Sequence, residues 1–399
     1  MLTVEISREP GQICLARWTR AIKRSALQDL LTIASQPGVL SLALGLPAPE
    51  LFPTDDYLRA AARTIAEPRS LQYGPPDRRM KQHVVELMAQ RGVECNEDEI
   101  FLTAGAQQGA NLLARLLLEH GGQVLIEENV YPGIQQIIEP FEPEILTVPT
   151  DIESGMDVDA VEWHLERGKK PAFIYAISAG HNPLAVTMSA EKRERLALLA
   201  RIHGVPIIED DPYGFLYYET TPAPICAYDK DWTFYLGSFS KILAPALRAG
   251  WIVMPAHLTY KLSTIKEASD IDTGTFAQRS LCTYLDEGHL PAHMDRLRRE
   301  YKLRRDTMLS ALTEHFPAGA QWRVPQSGLF VWVELNEAVD TGELLSRAVA
   351  VERVAFLPGH AFGVGGHRRA AHCLRLNFSN STPERINDGI ARLARVLNS

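Results

Sequence analysis

Nothing in the 399 residues supplies a disulfide framework. The five cysteines, Cys14, Cys95, Cys226, Cys282 and Cys373, are odd in number, widely scattered and without a C-x-x-C pair, which argues against a stapled secreted scaffold and against a zinc ribbon. A reducing cytoplasmic location is the expectation. No apolar run approaches the roughly 20 residues of a membrane span. The opening "MLTVEISREPGQICLARWTRAIKRS" lacks the apolar core of a signal peptide, so a soluble protein with no membrane partner is expected. Positive charge is also short: 41 Lys and Arg stand against 49 Asp and Glu, for a net charge of −8. Such a chain has no field to hold a phosphodiester backbone, which excludes nucleic acid as the main partner and favours a small molecule. Repeats with a period of about 20 to 50 residues and low-complexity tracts are absent. The prolines are spread along the chain, so no linker marks a domain boundary.

What is present is a large apolar fraction, 46% of residues, arranged in an alternating pattern. "EIFLTAG" reads as a strand, "AQQGANLLARLLLEHGG" as a helix closed by glycines and "QVLIEE" as a buried strand. The alternation continues through "PAFIYAIS", the helix "SAEKRERLALLARIHG" opened by the Ser189 cap, "VPIIEDD", "TFYLGSFS" and "AGWIVMP". Short apolar strands between amphipathic helices predict an α/β domain with a doubly wound, mainly parallel sheet covered on both faces. Beyond residue 280 come a long charged helix, the strands "SGLFVWVEL" and "HCLRLNFS" and a terminal helix, the texture of a smaller α+β domain. The expected division is a large unit over 46–280 and a small one built from 1–45 and 281–399.

Ligands of such sheets bind at the carboxyl ends of the strands. There Asp210 closes "VPIIED", Tyr213 follows three residues later, Asn182 precedes Pro183, and Lys241 follows "TFYLGS". A lysine among small and apolar neighbours has its charged form disfavoured, which makes its amine a nucleophile able to form a Schiff base with a carbonyl. An aspartate nearby can hold a proton on a heteroaromatic nitrogen. Those are the two groups that pyridoxal phosphate requires of a protein.

"SFSKILAPALRAG" resembles the lysine motif of the fold-type I pyridoxal-phosphate-dependent aminotransferases, class I/II, and the resemblance runs over nearly the whole chain. "SLALGLPAPELFP", "LQYGPP", "FLTAGAQQGANLLARLLL", "ENVYPG", "HNP", "PIIEDDPYG" and "CLRLNFS" stand in the family's order. The texture is most similar to the branch of 2-aminoadipate aminotransferases and MocR effector domains. The resemblance implies pyridoxal 5'-phosphate as cofactor, with Lys241 as Schiff-base lysine and proton shuttle and Asp210 on the pyridine nitrogen. It implies Asn182 and Tyr213 on the ring's phenolic oxygen and Tyr131 stacked on the ring. The phosphate would sit at the start of the helix opened by Ala106, with Gln107, Ser238, Ser240 and Arg248 adding contacts. Tyr73 would reach in from the partner of a homodimer, and Arg375 would clamp the substrate carboxylate with a bidentate fork.

The departures from the family pattern are Leu44 before Gly45 where two glycines are usual, Ala106 in place of a serine, "NPLA" ending in Ala185, and His181 before the Asn-Pro pair. Leu44 narrows the expected substrate side of the pocket. With Leu44, Leu46 and Ile22 as an apolar wall, Gly45 beside it, and Arg24 and the acidic run Asp55 and Asp56 close enough in sequence to tune it, the expected reaction moves an amino group from an apolar or aromatic α-amino acid to a 2-oxo acid. An oxidase, decarboxylase or cyclase would share every residue named. A ligand-sensing effector domain is the reading of another class, disfavoured because the first motif begins at Ser41. His289 and His293 have a metal-like i, i+4 spacing, but Pro291 between them is expected to break the helix and leave a surface turn without metal. The basic run from Arg296 to Arg305 reads as the solvated face of a helix.

Overall fold

The computed structural model describes residues 13, 15–21, 32–33, 36–366 and 370–398. A seven-stranded sheet forms its centre, with strands β1 (Ile100–Thr103), β2 (Gln123–Glu127), β3 (Glu144–Val148), β4 (Ile174–Ala176), β5 (Ile207–Asp210), β6 (Thr233–Ser238) and β7 (Gly250–Val253) in the order β1-β7-β6-β5-β4-β2-β3. The neighbours from β3 to β6 pair in parallel, whereas β7 runs antiparallel to both β6 and β1. Most of these strands are buried along their whole length, the reason they read as unbroken apolar runs. The edge strand β3 buries only alternate positions and has no such run, so sequence reasoning passed over it.

A second sheet of four antiparallel strands follows: β8 (Gln321–Trp322), β9 (Phe330–Glu334), β10 (Leu357–Pro358) and β11 (Cys373–Asn377), in the order β8-β9-β11-β10. The helices Leu290–His315 and Pro383–Leu397 pack together beside it. Backbones of the two parts touch where Gly180, after β4, meets Gly328. A Cβ on Gly180 would lie 3.0 Å from the Gly328 Cα, and both residues have positive φ, so this close approach needs glycine.

Two sequence expectations fail on the long helix. Pro291 sits in the first turn of Leu290–His315, where its missing N–H costs nothing, and His293 is buried instead of lying on a surface turn. The basic run is not all solvated. Arg304 and Arg305 are buried and donate to the carbonyls of Ser379 and Pro325. Among the described residues no His, Cys, Asp and Glu group could hold a metal ion, and no helix is long and apolar enough to cross a membrane.

Candidate active site

The carboxyl ends of β5 and β6 open into a cavity of about 360 Å³. Asp210 is the last residue of β5 and pairs in register with Leu236 of β6, so the chain after β6 returns Lys241 to the same cavity. The Lys241 amine donates to the Gly45 carbonyl at 2.8 Å. The side chain is only half-buried by surface area because it faces the cavity, yet the surrounding protein is dense. That burial, with Arg375 and Arg248 adding repulsion, pushes its pKa down from 10.5 to about 8.

Asp210 is buried, and its Oδ2 accepts the Tyr175 hydroxyl at 2.5 Å. Burial lifts its pKa to about 6 against that hydrogen bond, with neighbouring Asp211 contributing to the rise. Its other oxygen, Oδ1, has no hydrogen-bond partner. A buried carboxylate oxygen left bare is costly unless a donor meets it when the site is filled. Tyr131 and Tyr213 stand on the same cavity, and burial raises the pKa of both. The Tyr131 ring lies over Gly133, where a Cβ would meet it at 2.2 Å, so glycine is what lets the ring lie there.

At the other end, the helix Ala106–Leu117 starts with Gly105 at φ 95, which supplies no side-chain cap. Its first two residues, Ala106 and Gln107, line the cavity, and an uncapped helix start there suits an anion. Arg248 is folded against this turn with its Nη2 donating to the Ala104 carbonyl at 2.7 Å, and a Cβ on Gly105 would come within 2.9 Å of its guanidinium. Ser238 and Ser240 join through their hydroxyls at 2.9 Å beside it, and Gln107 donates to the Gly133 carbonyl. Ala106 lines the cavity with no hydroxyl to offer, leaving the backbone donors in place.

Arg375, on β11, is buried at 4% exposure. It donates to the Asn182 side-chain oxygen and, at 2.8 Å, to the Ala43 carbonyl, while its Nε has no partner. Its guanidinium lies 4.0 Å from the Phe330 ring centre and 4.9 Å from that of Phe362. Burial pushes its pKa down to about 10, which leaves it cationic at neutral pH, and among the described residues no carboxylate pairs with it. Leu44 and Gly45 line the same cavity; a Cβ on Gly45 would strike Phe330 at 2.7 Å.

The cavity thus brings together Leu44, Gly45, Ala106, Gln107, Tyr131, Asn182, Asp210, Tyr213, Ser238, Ser240, Lys241, Arg248 and Arg375. Tyr73 is not among its lining residues and is 77% exposed. Arg24 and Ile22 lie outside the described residues. Sequence reasoning missed Tyr175, Phe330 and Phe362. Tyr175 had one signal, a hydroxyl inside an otherwise apolar strand; the two phenylalanines had none.

Three observations fit pyridoxal phosphate here. Bare Asp210 Oδ1 suits a ring N–H, the amine of lowered pKa suits a carbonyl carbon, and the uncapped helix start with Arg248 suits a phosphate.

Residues 38–393 match the family described as aminotransferase class I and II. The chain is 38% identical to aromatic-amino-acid aminotransferase 1 of Thermococcus litoralis over 94% of its own length and 92% of that protein's. It superposes with a TM-score of 0.90 on the kynurenine aminotransferase of Pyrococcus horikoshii, solved with PMP, at 34% identity over 96% of each chain. With the α-aminoadipate aminotransferase LysN of Thermus thermophilus, solved with N-(5'-phosphopyridoxyl)-L-leucine, the TM-score is 0.88 at 33% identity over 96% of this chain and 97% of that one.

Proposed function

From the premise that this chain belongs to the class I and II aminotransferases and uses pyridoxal 5'-phosphate, we propose that its amino donors are α-amino acids with apolar or aromatic side chains. The observation that carries this reading is the distribution of charge in the cavity. Its three lining cations, Lys241, Arg248 and Arg375, each have a place, and the remaining wall of Leu44, Leu46, Ile177, Leu357 and Phe330 is apolar. A donor with a second carboxylate would bury it there with no described cation opposite, a cost of several kcal/mol before compensation. The names of two relatives, an aromatic-amino-acid and a kynurenine aminotransferase, support the same class, and LysN, named for the dicarboxylic α-aminoadipate, was solved with an adduct of apolar leucine.

When bound, the cofactor supplies a carbonyl carbon for the amino group and a ring that withdraws electrons from the substrate α-carbon. The protein's own groups do the rest. Arg375 binds the α-carboxylate through a planar fork, held by Asn182 and the Ala43 carbonyl. The Lys241 amine would hold the cofactor and, once released from it, move a proton at the α-carbon, a role that its lowered pKa suits. Asp210 Oδ1 would keep the ring nitrogen protonated, Tyr213 and Asn182 would meet the ring oxygen, and Tyr131 would cover the ring. The helix start at Ala106, with Gln107, Ser238, Ser240 and Arg248, would hold the phosphate.

The same reading includes a large unit over 46–280, a small one over 1–45 and 281–399, a cytoplasmic location suited to free Cys95, Cys226, Cys282 and Cys373, and a homodimer in which Tyr73 serves the partner's site. Sedimentation of a fully active monomer would overturn the last of these. The substrate class is tested by kcat/KM for phenylalanine, leucine, 2-aminoadipate, aspartate and glutamate. Phenylalanine or leucine should exceed aspartate and glutamate by at least about tenfold. A reversed order refutes the pocket reading.

A further inference from the structure

His181 is one of the departures from the family pattern, and no step of the chemistry above uses it. Its ring is 1% exposed and its Nε2 lies 3.0 Å from Glu127 Oε2, at the end of β2 and equally buried. The Leu184 N–H reaches His181 Nδ1 at 3.3 Å. A backbone N–H can only donate, so Nδ1 accepts and the ring proton stands on Nε2, where it donates to the carboxylate. The far oxygen of Glu127 accepts the Thr150 hydroxyl at 2.7 Å. The His181 backbone is also fully engaged, its N–H with the Val186 carbonyl at 2.8 Å and its carbonyl with the Ala185 N–H at 2.6 Å. One ring therefore ties a tight turn to a strand two positions away in sequence order, though next to β4 in the sheet.

The residue directly after His181 is Asn182, whose side-chain oxygen receives Arg375. We infer that the buried His181 to Glu127 pair is a positioning device that fixes Asn182, and through it the Arg375 fork, for the substrate carboxylate. This rests on the reading of Asn182 and Arg375 as the carboxylate clamp. A buried hydrogen bond to a carboxylate is strong and directional, and displacement of a positioned group by about 1 Å can cost up to about 100-fold.

The two ring nitrogens can be separated by substitution. In His181→Gln the amide reaches the position of Nε2 and keeps the bond to Glu127. In His181→Asn the amide occupies the position of Nδ1, keeps the Leu184 contact and loses Glu127. The probe is 3-phenylpropionate, which carries a carboxylate and an aromatic ring but no amino group, bound to the holoenzyme and followed by calorimetry. His181→Asn should bind it about tenfold more weakly and His181→Gln within about threefold of wild type. Combined with Asn182→Ala, His181→Asn should add no further loss, since both act on one element. If His181→Asn does not fold, Thr150→Val loosens Glu127 from its far side without stranding a buried donor, and should weaken the probe in the same direction by a smaller factor.

Unchanged binding in His181→Asn, a larger loss in His181→Gln than in His181→Asn, or additive losses with Asn182→Ala would each overturn the inference. So would a lowered thermal midpoint with unaltered affinity, the mark of a purely structural pair. Failure of the clamp itself looks different, since Asn182→Ala and Arg375→Lys would then both bind the probe as wild type does, and the inference would fall with it.

Discussion

Lys241 offers a prediction that can be worked through from its surroundings. Burial and two nearby guanidinium groups bring its pKa from 10.5 to about 8. At pH 7 a pKa near 8 leaves about one amine in ten neutral, against about one in 3,000 for an ordinary lysine. The neutral amine is the nucleophile, so in cofactor-free protein Lys241 should carry about 300 times more reactive amine than an exposed lysine at that pH. The perturbation is removal of the cofactor followed by a pH series. The assay is labelling with fluorodinitrobenzene, an uncharged reagent that Arg375 and Arg248 do not steer, with the adduct located by mass spectrometry. The rate at Lys241 should rise with pH, reach half its limit near pH 8 and level off, while Nα-acetyl-lysine, whose ε-amine is free, keeps rising in the same tube. Because the shift is downward in the folded state, the unfolded chain holds the extra proton between about 8 and 10.5, and cofactor-free protein should gain stability as pH climbs through that window. A Lys241 profile still climbing past about pH 10 would show that enclosure does not depress the amine, and the reasoning would fail.

Tyr175→Phe removes the hydroxyl that holds Asp210 down, so the carboxylate form should be lost at higher pH, and the acid limb of the activity profile should move up by about 1 to 2 pH units. Asp210→Asn should keep the cofactor, seen by absorbance, yet lose at least about 100-fold in kcat; near-normal turnover would place the essential carboxylate elsewhere. Arg375→Lys should raise KM by at least about 30-fold for phenylalanine and leucine alike, the lower bound for breaking a buried charged fork. Arg193, fully buried, donates to the carbonyls of Ser178, Met188, Pro222 and Ala223 and so closes the loop that carries Asn182. Arg193→Lys cannot span four carbonyls and should cost about 2 to 4 kcal/mol in denaturant unfolding.

The sheet and the charged residues at its strand ends were legible in the sequence for one physical reason. A strand buried on both faces must be apolar throughout, so a lysine or aspartate at its end stands out, as Lys241 and Asp210 do after β6 and β5. Where burial alternates or a partner comes from far along the chain, that contrast disappears. The edge strand β3 escaped notice, β7 gave no sign that it runs antiparallel, and Phe330 and Phe362 look like any core aromatics until Arg375 is seen between them. Arg304 and Arg305 misled in the opposite sense, since a charged run is usually solvated and these two are buried on carbonyls from distant loops.

Arg375 shows why the two kinds of information meet at the site. Its strand position and motif marked it as a candidate, but the chemistry depends on what surrounds it: two rings, one amide oxygen, one carbonyl and no acid among the described residues. A guanidinium so enclosed has lost most of its water, and neutral acceptors return only part of that cost. The deficit is largest in the empty site and is relieved when a carboxylate arrives. An unpaired buried cation is therefore the form that selectivity for a planar anion takes in a folded chain, and Asp210, buried with one bare oxygen, is the same arrangement with the sign reversed.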